Sequence, residues 1–138
     1  MTHLLDVDPA AAAPIWRQIE DGMRRMVASG RLSPGTAVPS VRELAKALRV
    51  NPATVSKAYR QLTEAGLLSV RRGEGTFVAE RTHEERDDER RRLLAQGAAD
   101  FIRVAKSVGA SQKQAQSTVK KCWRTVDAEG EEEVRNES

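Results

Sequence analysis

The sequence predicts a mainly α fold with one small β-hairpin, on three observations. Helix caps stand close together at Ser40 and Asn51. A stop at Gly66 is followed by two short β-like runs around an arginine- and glycine-rich turn, and two more amphipathic helices come after residue 80. Together these give an N-terminal winged helix-turn-helix over residues 10–79, then a two-helix dimerisation segment over 80–127. The acidic stretch 128–138 is expected to be a disordered tail.

Taken in order, the first helix starts after Pro14. It carries Ile15, Trp16, Ile19, Met23, Met26 and Val27 on one stripe and stops near Gly30. A tryptophan on such a stripe is read as packing. Pro34-Gly35 makes a turn, and Ala37-Val38 is expected to form a brief strand against the hairpin.

Ser40 and Glu43 have the spacing of a capping box, in which the hydroxyl caps a free amide and the carboxylate caps back. The helix they open turns Val41, Leu44, Ala45 and Leu48 to one side and leaves Arg42, Lys46 and Arg49 to face water or phosphate. Asn51 before Pro52 restarts a helix, because proline's fixed φ and missing amide cost nothing at the first helical position. With only Arg49 and Val50 between the helices, they must cross steeply. The second helix turns Val55, Ala58, Tyr59 and Leu62 inward and leaves Ala53, Thr54, Ser56, Lys57, Arg60 and Gln61 outside. Thr54 and Ser56 are short enough for the backbone to approach base edges, and Lys57 and Arg60 reach bases or flanking phosphates. After Gly66, Leu67, Leu68 and Val70 form one strand and Thr76, Phe77 and Val78 the other. The Arg71-Arg72-Gly73-Glu74-Gly75 turn between them can enter a minor groove or follow phosphates.

Each piece alone has a plainer reading. A capping box marks only a helix start, a Thr-x-Ser-Lys face is usually solvated helix, and paired arginines are usually loop. Two helices with a minimal turn, a glycine stop and a basic hairpin, in that order, select DNA binding. The charge is placed to match. Residues 40–78 hold Arg42, Lys46, Arg49, Lys57, Arg60, Arg71 and Arg72 against Glu43, Glu64 and Glu74, whereas residues 81–138 are balanced. The whole-chain net charge of +3 over 138 residues would not by itself suggest nucleic acid.

Pro39-Ser40-Val41-Arg42-Glu43-Leu44-Ala45, Val50-Asn51-Pro52, Thr54-Val55, Lys57-Ala58-Tyr59, Arg72-Gly73 and Gly75-Thr76-Phe77-Val78 closely resemble the GntR family of bacterial transcription regulators. Asn-Pro and Lys-Ala-Tyr point to its YtrA-like subfamily. The resemblance extends back through Pro14-Ile15-Trp16-Arg17-Gln18-Ile19 and covers roughly residues 10 to 80. It implies that Arg42 contacts a phosphate or guanine, that Thr54 and its neighbours seat the recognition helix in the groove, and that Arg72 and Gly73 form the wing tip. DNA contacts are therefore expected at Arg42, Arg49, Asn51, Thr54, Ser56, Lys57, Arg60, Arg71, Arg72 and Gly73. Many relatives of other subfamilies carry arginine where Pro52 and Ser56 stand here, so their base contacts are not carried over to these two positions. The resemblance also implies repression, often of the regulator's own operon and linked transporter genes. A winged-helix module docking on protein is the alternative.

Beyond the wing, residues 80–92 alternate in charge and predict an exposed helix laced with i,i+4 pairs. Leu93, Leu94, Ala98, Phe101, Ile102, Ala105 and Val108 continue it as an amphipathic stripe until Gly109. Ser111, with Gln114 three residues on, then caps a last helix carrying Ala115, Val119, Cys122, Trp123 and Val126 inward. Two such helices cannot enclose a core alone. The economical partner is a second copy, met through Leu94, Phe101, Ile102, Val119 and Trp123, so that recognition helices reach successive major grooves about 34 Å apart on an inverted repeat. Cys122 is expected to be a buried structural thiol, and a single cysteine gives no internal disulfide.

His3 and His83 lie far apart on segments expected to be exposed, which supports neither a metal site nor a catalytic triad. Gly73-Glu74-Gly75 is too short and wrongly placed to cradle a phosphate at a helix start. No enzyme activity and no cofactor are expected. The chain has no apolar run of membrane-spanning length and no signal-peptide pattern, so a cytoplasmic protein is expected. An effector is left open; it would sit at the dimer interface or between the C-terminal helices and the winged domain, near Phe101, Trp123 or the linker after residue 80.

Overall fold

The computed structural model describes residues 5–136, and side-chain surroundings as far as residue 130; His3 and the last residues of the acidic tail lie outside the described region. The elements run α1 (Ile15–Ala28), α2 (Val41–Leu48), α3 (Pro52–Glu64), β1 (Leu68–Arg71), β2 (Gly75–Val78), α4 (His83–Ser107) and α5 (Gln112–Asn136). They fall into two compact units, Met1–Leu93 and Leu94–Ser138. The division comes later than the expected boundary at residue 79, because the start of α4 belongs to the first unit.

In the first unit α1 and α2 both pack on α3. The apolar stripes converge as expected, burying Ile19, Met23, Leu44, Val55 and Leu62, with Leu32, Leu67 and Val78 closing the core from the loops and the hairpin. Each such side chain contributes about 1.5–3 kcal/mol through its removal from water. The Tyr59 hydroxyl, at the core's edge, donates to the Pro39 carbonyl at 2.6 Å. Burial, with the Glu43 charge adding to it, pushes this phenol above its ordinary range.

The hairpin is antiparallel, with Leu68 opposite Val78 and Arg71 opposite Gly75, so the tip is Arg72-Gly73-Glu74. Gly73 takes a φ of +75°, which a side chain would resist. Ala37 forms an isolated bridge with Phe77. Val38 N–H donates to Thr76 O at 2.9 Å and Val78 N–H to Thr36 O at 2.8 Å, so the expected third strand is present in its shortest form.

Thr82 opens α4. Its hydroxyl accepts from Glu85 N–H at 3.1 Å, and its own N–H donates to the Glu85 carboxylate at 2.8 Å. The charged run is helical from His83 rather than from residue 80, and its pairs fall mostly at i,i+3 instead of the expected i,i+4: Arg90 with Asp87, Arg91 with Asp88, and Arg92 with Glu89. Glu89 is not a surface residue. It is 2% exposed and accepts from Arg24 Nη1 at 2.9 Å, tying α4 to α1. Burial alone would lower the Arg24 pKa, yet the Glu89 and Glu20 carboxylates hold it above its ordinary value.

In the second unit, Gly109 ends the α4 turn and the Ser111–Gln114 box forms in both directions, at 3.1 and 2.8 Å. Ala105 is buried and Phe101 and Ala115 half-buried. Leu94, Ile102, Val119 and Trp123 stay exposed, Leu94 at 74% and Trp123 at 67%, because α4 and α5 make little contact with one another away from the turn that joins them. Cys122, expected to be buried, is exposed for the same reason. A second correction concerns the tail. α5 runs on to Asn136 rather than ending near residue 127, since Ala128, Glu129 and Glu131–Glu133 are strong helix formers and no proline interrupts them.

Candidate nucleic-acid interface

Two caps fix the orientation of the recognition helix. Ser40 Oγ accepts from Glu43 N–H at 3.1 Å, and Asn51 Oδ1 accepts from Ala53 N–H at 2.9 Å with Pro52 in the first turn. Between them Arg49 takes a left-handed conformation, φ 58°, and Val50 N–H reaches back to Ala45 O at 3.0 Å. This is the wrap that usually falls to glycine. Here an exposed arginine makes it. Asn51 is thus committed to the cap, with its side-chain oxygen engaged.

On α3, Ala53, Lys57 and Arg60 form the most exposed stripe. Thr54 and Ser56 lie half-buried on opposite flanks of it. Ser56 and Arg60 line a cleft of about 320 Å³ with Val41 of α2 and with Val70 and Thr76 of the hairpin, so the recognition helix and the wing share one groove. Arg42 on α2 is exposed.

Lys57 has a partner that sequence reasoning missed. Its Nζ sits 4.3 Å from the ring centroid of Trp16, which is half-buried at the edge of the core rather than inside it. The position of Trp16 at the start of α1 was the available signal, since only the central residues of a stripe are fully enclosed. At the wing, the Arg71 guanidinium lies 4.1 Å over the Phe77 ring, which holds that cation on the strand. Arg72 and Gly73 project at the tip, both exposed.

Among the described residues none of Arg42, Arg49, Lys57, Arg60, Arg71 and Arg72 pairs with a carboxylate. The carboxylate-paired cations lie on α1 and α4. Unpaired cations on two helices and a hairpin are what a polyphosphate surface requires.

The comparisons agree with this geometry. Residues 16–78 match the model of the bacterial regulatory proteins, gntR family. The chain is 42% identical over 77 residues to the transcriptional repressor YtrA of Bacillus subtilis, a match covering 56% of this chain and 59% of that protein. It is 34% identical to the transcriptional regulator Rv1152 of Mycobacterium tuberculosis, covering 80% of this chain and 87% of that one. Among solved structures, a GntR family transcriptional regulator from Listeria monocytogenes superposes with a TM-score of 0.71 at 29% identity, over 83% of this chain and 98% of that one. The AraR DNA-binding domain in complex with operator ORX1 superposes with a TM-score of 0.50 at 29% identity, over 56% and 99%. No helix among the described residues is long and apolar enough to cross a membrane. The chain belongs to the gntR family of bacterial regulatory proteins and is a DNA-binding transcriptional regulator.

Proposed function

We propose that this regulator is a homodimeric repressor that occupies an inverted-repeat operator in the cytoplasm, its own operon and linked transporter genes included among its targets. The observation that carries the dimer is the set of exposed apolar side chains Leu94, Ile102, Val119 and Trp123, together with an apolar groove of about 500 Å³ that Phe101, Ile102 and Val119 line. Large exposed apolar patches mark association sites, and two-fold self-association is the commonest way to cover one. Repression is supported by the similarity to YtrA, named a repressor.

At the DNA, Arg42, Arg49, Arg71 and Arg72 bind phosphates and supply affinity. Gly73 lets the wing backbone come close. Lys57 and Arg60 read base edges from the exposed stripe, Thr54 and Ser56 contact from its flanks, and Asn51 aims the helix through its cap. Sedimentation of the full chain, with footprinting on fragments of its own genome, tests the whole reading. The expected result is a dimer protecting two half-sites one helical turn apart; a monomer protecting a single half-site would overturn it.

A further inference from the structure

The first unit holds a second cationic site away from α3 and the wing tip. A cleft of about 310 Å³ opens between the end of α1, with the turn that follows it, and the start of α4. Val27 and Pro34 are among its apolar lining, and Arg81, His83, Arg86, Asp87 and Arg90 are its charged or titratable lining. Arg90 and His83 share Asp87, at 3.9 and 3.4 Å. Among the described residues Arg81 and Arg86 have no carboxylate, and Arg86 Nε is enclosed with no hydrogen-bond partner. A buried charged donor left unpaired is costly, and a planar guanidinium fork is shaped to hold two oxygens of one anion.

We propose that this cleft binds a small organic oxyanion, a carboxylate- or phosphate-bearing metabolite. Arg81 and Arg86 clamp the charge while Val27 and Pro34 receive the apolar remainder. We take a small anion rather than a duplex as the occupant, because a concavity of about 310 Å³ is of metabolite size and shares no lining residue with the groove between α3 and the wing. The cleft borders the wing. Ala79, in its wall, donates to Leu67 O at 2.9 Å, and Gly35, next to Pro34, donates to Val78 O at 2.8 Å. An anion that draws α4 toward the turn after α1 therefore acts on the backbone that registers the hairpin, and operator affinity should respond. Only this last step rests on the DNA-binding reading.

The test is an NMR titration of the full chain with inorganic phosphate and, separately, with succinate, at ionic strength held constant with chloride. Saturable shifts are expected at Arg86 Nε–H and at the amides of residues 27–30 and 82–86, and the tighter of the two probes identifies the headgroup. Arg86→Gln and Arg81→Gln should each weaken binding about tenfold. Arg103→Gln, outside the cleft, should leave binding unchanged. Arg81 is half-buried in the loop before α4, so its variant serves even if Arg86→Gln unfolds. Shifts reproduced by chloride, centred on α3 and the wing, or unaffected by Arg81→Gln would overturn the site. Saturable binding that leaves operator affinity unchanged would overturn the coupling, whereas anion binding by a chain that binds no operator would refute the DNA reading and leave the cleft standing.

Discussion

At Arg49, backbone geometry and binding chemistry oppose one another. A side chain in the left-handed region costs about 1 kcal/mol, and glycine would relieve it. Arg49→Gly should therefore stabilise the fold by roughly 0.5–1 kcal/mol in thermal melts. The same change should weaken operator binding and lower its salt dependence by about one unit of slope, as loss of one phosphate contact requires. Lys57 makes a different prediction. If the Trp16 ring steers it, a double-mutant cycle of Lys57→Ala and Trp16→Leu on operator affinity should show a coupling of about 0.5–2 kcal/mol. Tyr59 is the chain's one tyrosine, so its ionisation can be read from phenolate absorbance. Its folded pKa is raised, so the unfolded chain loses its proton first. Stability should fall as pH rises above the ordinary phenol value of 10.0, and Tyr59→Phe should remove that part of the slope.

At the scale of elements, the helix starts were legible in the sequence because capping is local chemistry. Ser40, Asn51 and Ser111 each accept from an amide two or three residues on. Asn51→Ala should cost about 1 kcal/mol by denaturant titration. What joins elements across the chain was not legible. Glu89 sits in a run that reads as solvated helix, and its partner Arg24 lies sixty-five residues away with nothing local to announce it. Trp16 and Lys57 are likewise far apart in sequence, and the left-handed Arg49 hides behind a residue type that rarely adopts that conformation. The Arg24–Glu89 pair also sets its own test. Arg24→Ala leaves a nearly buried carboxylate with only the more exposed Arg92 as counter-charge and should destabilise by about 3 kcal/mol, while replacing both residues by apolar ones should recover much of that loss.

For the whole molecule, the division at Leu93 rather than residue 79 decides where the chain can be cut. A protein ending at Ala79 loses Glu89 and leaves Arg24 without that partner. One ending at Leu93 keeps the pair and should sediment as a folded monomer, with operator affinity lowered to that of a single half-site; a dimer would place self-association in the winged unit instead. The apolar residues of α4 and α5 were legible as a stripe, but which of them would be covered was not, and Cys122 and Trp123 proved to be exposed. The two tryptophans of the chain fall one in each unit, Trp16 against the recognition-helix lysine and Trp123 on the exposed stripe. The molecule thus carries its own pair of fluorophores. With Trp123→Phe the remaining emission should report arrival at the duplex, and with Trp16→Phe it should report the proposed meeting of two chains, so that the order of the two events can be timed by light without a label.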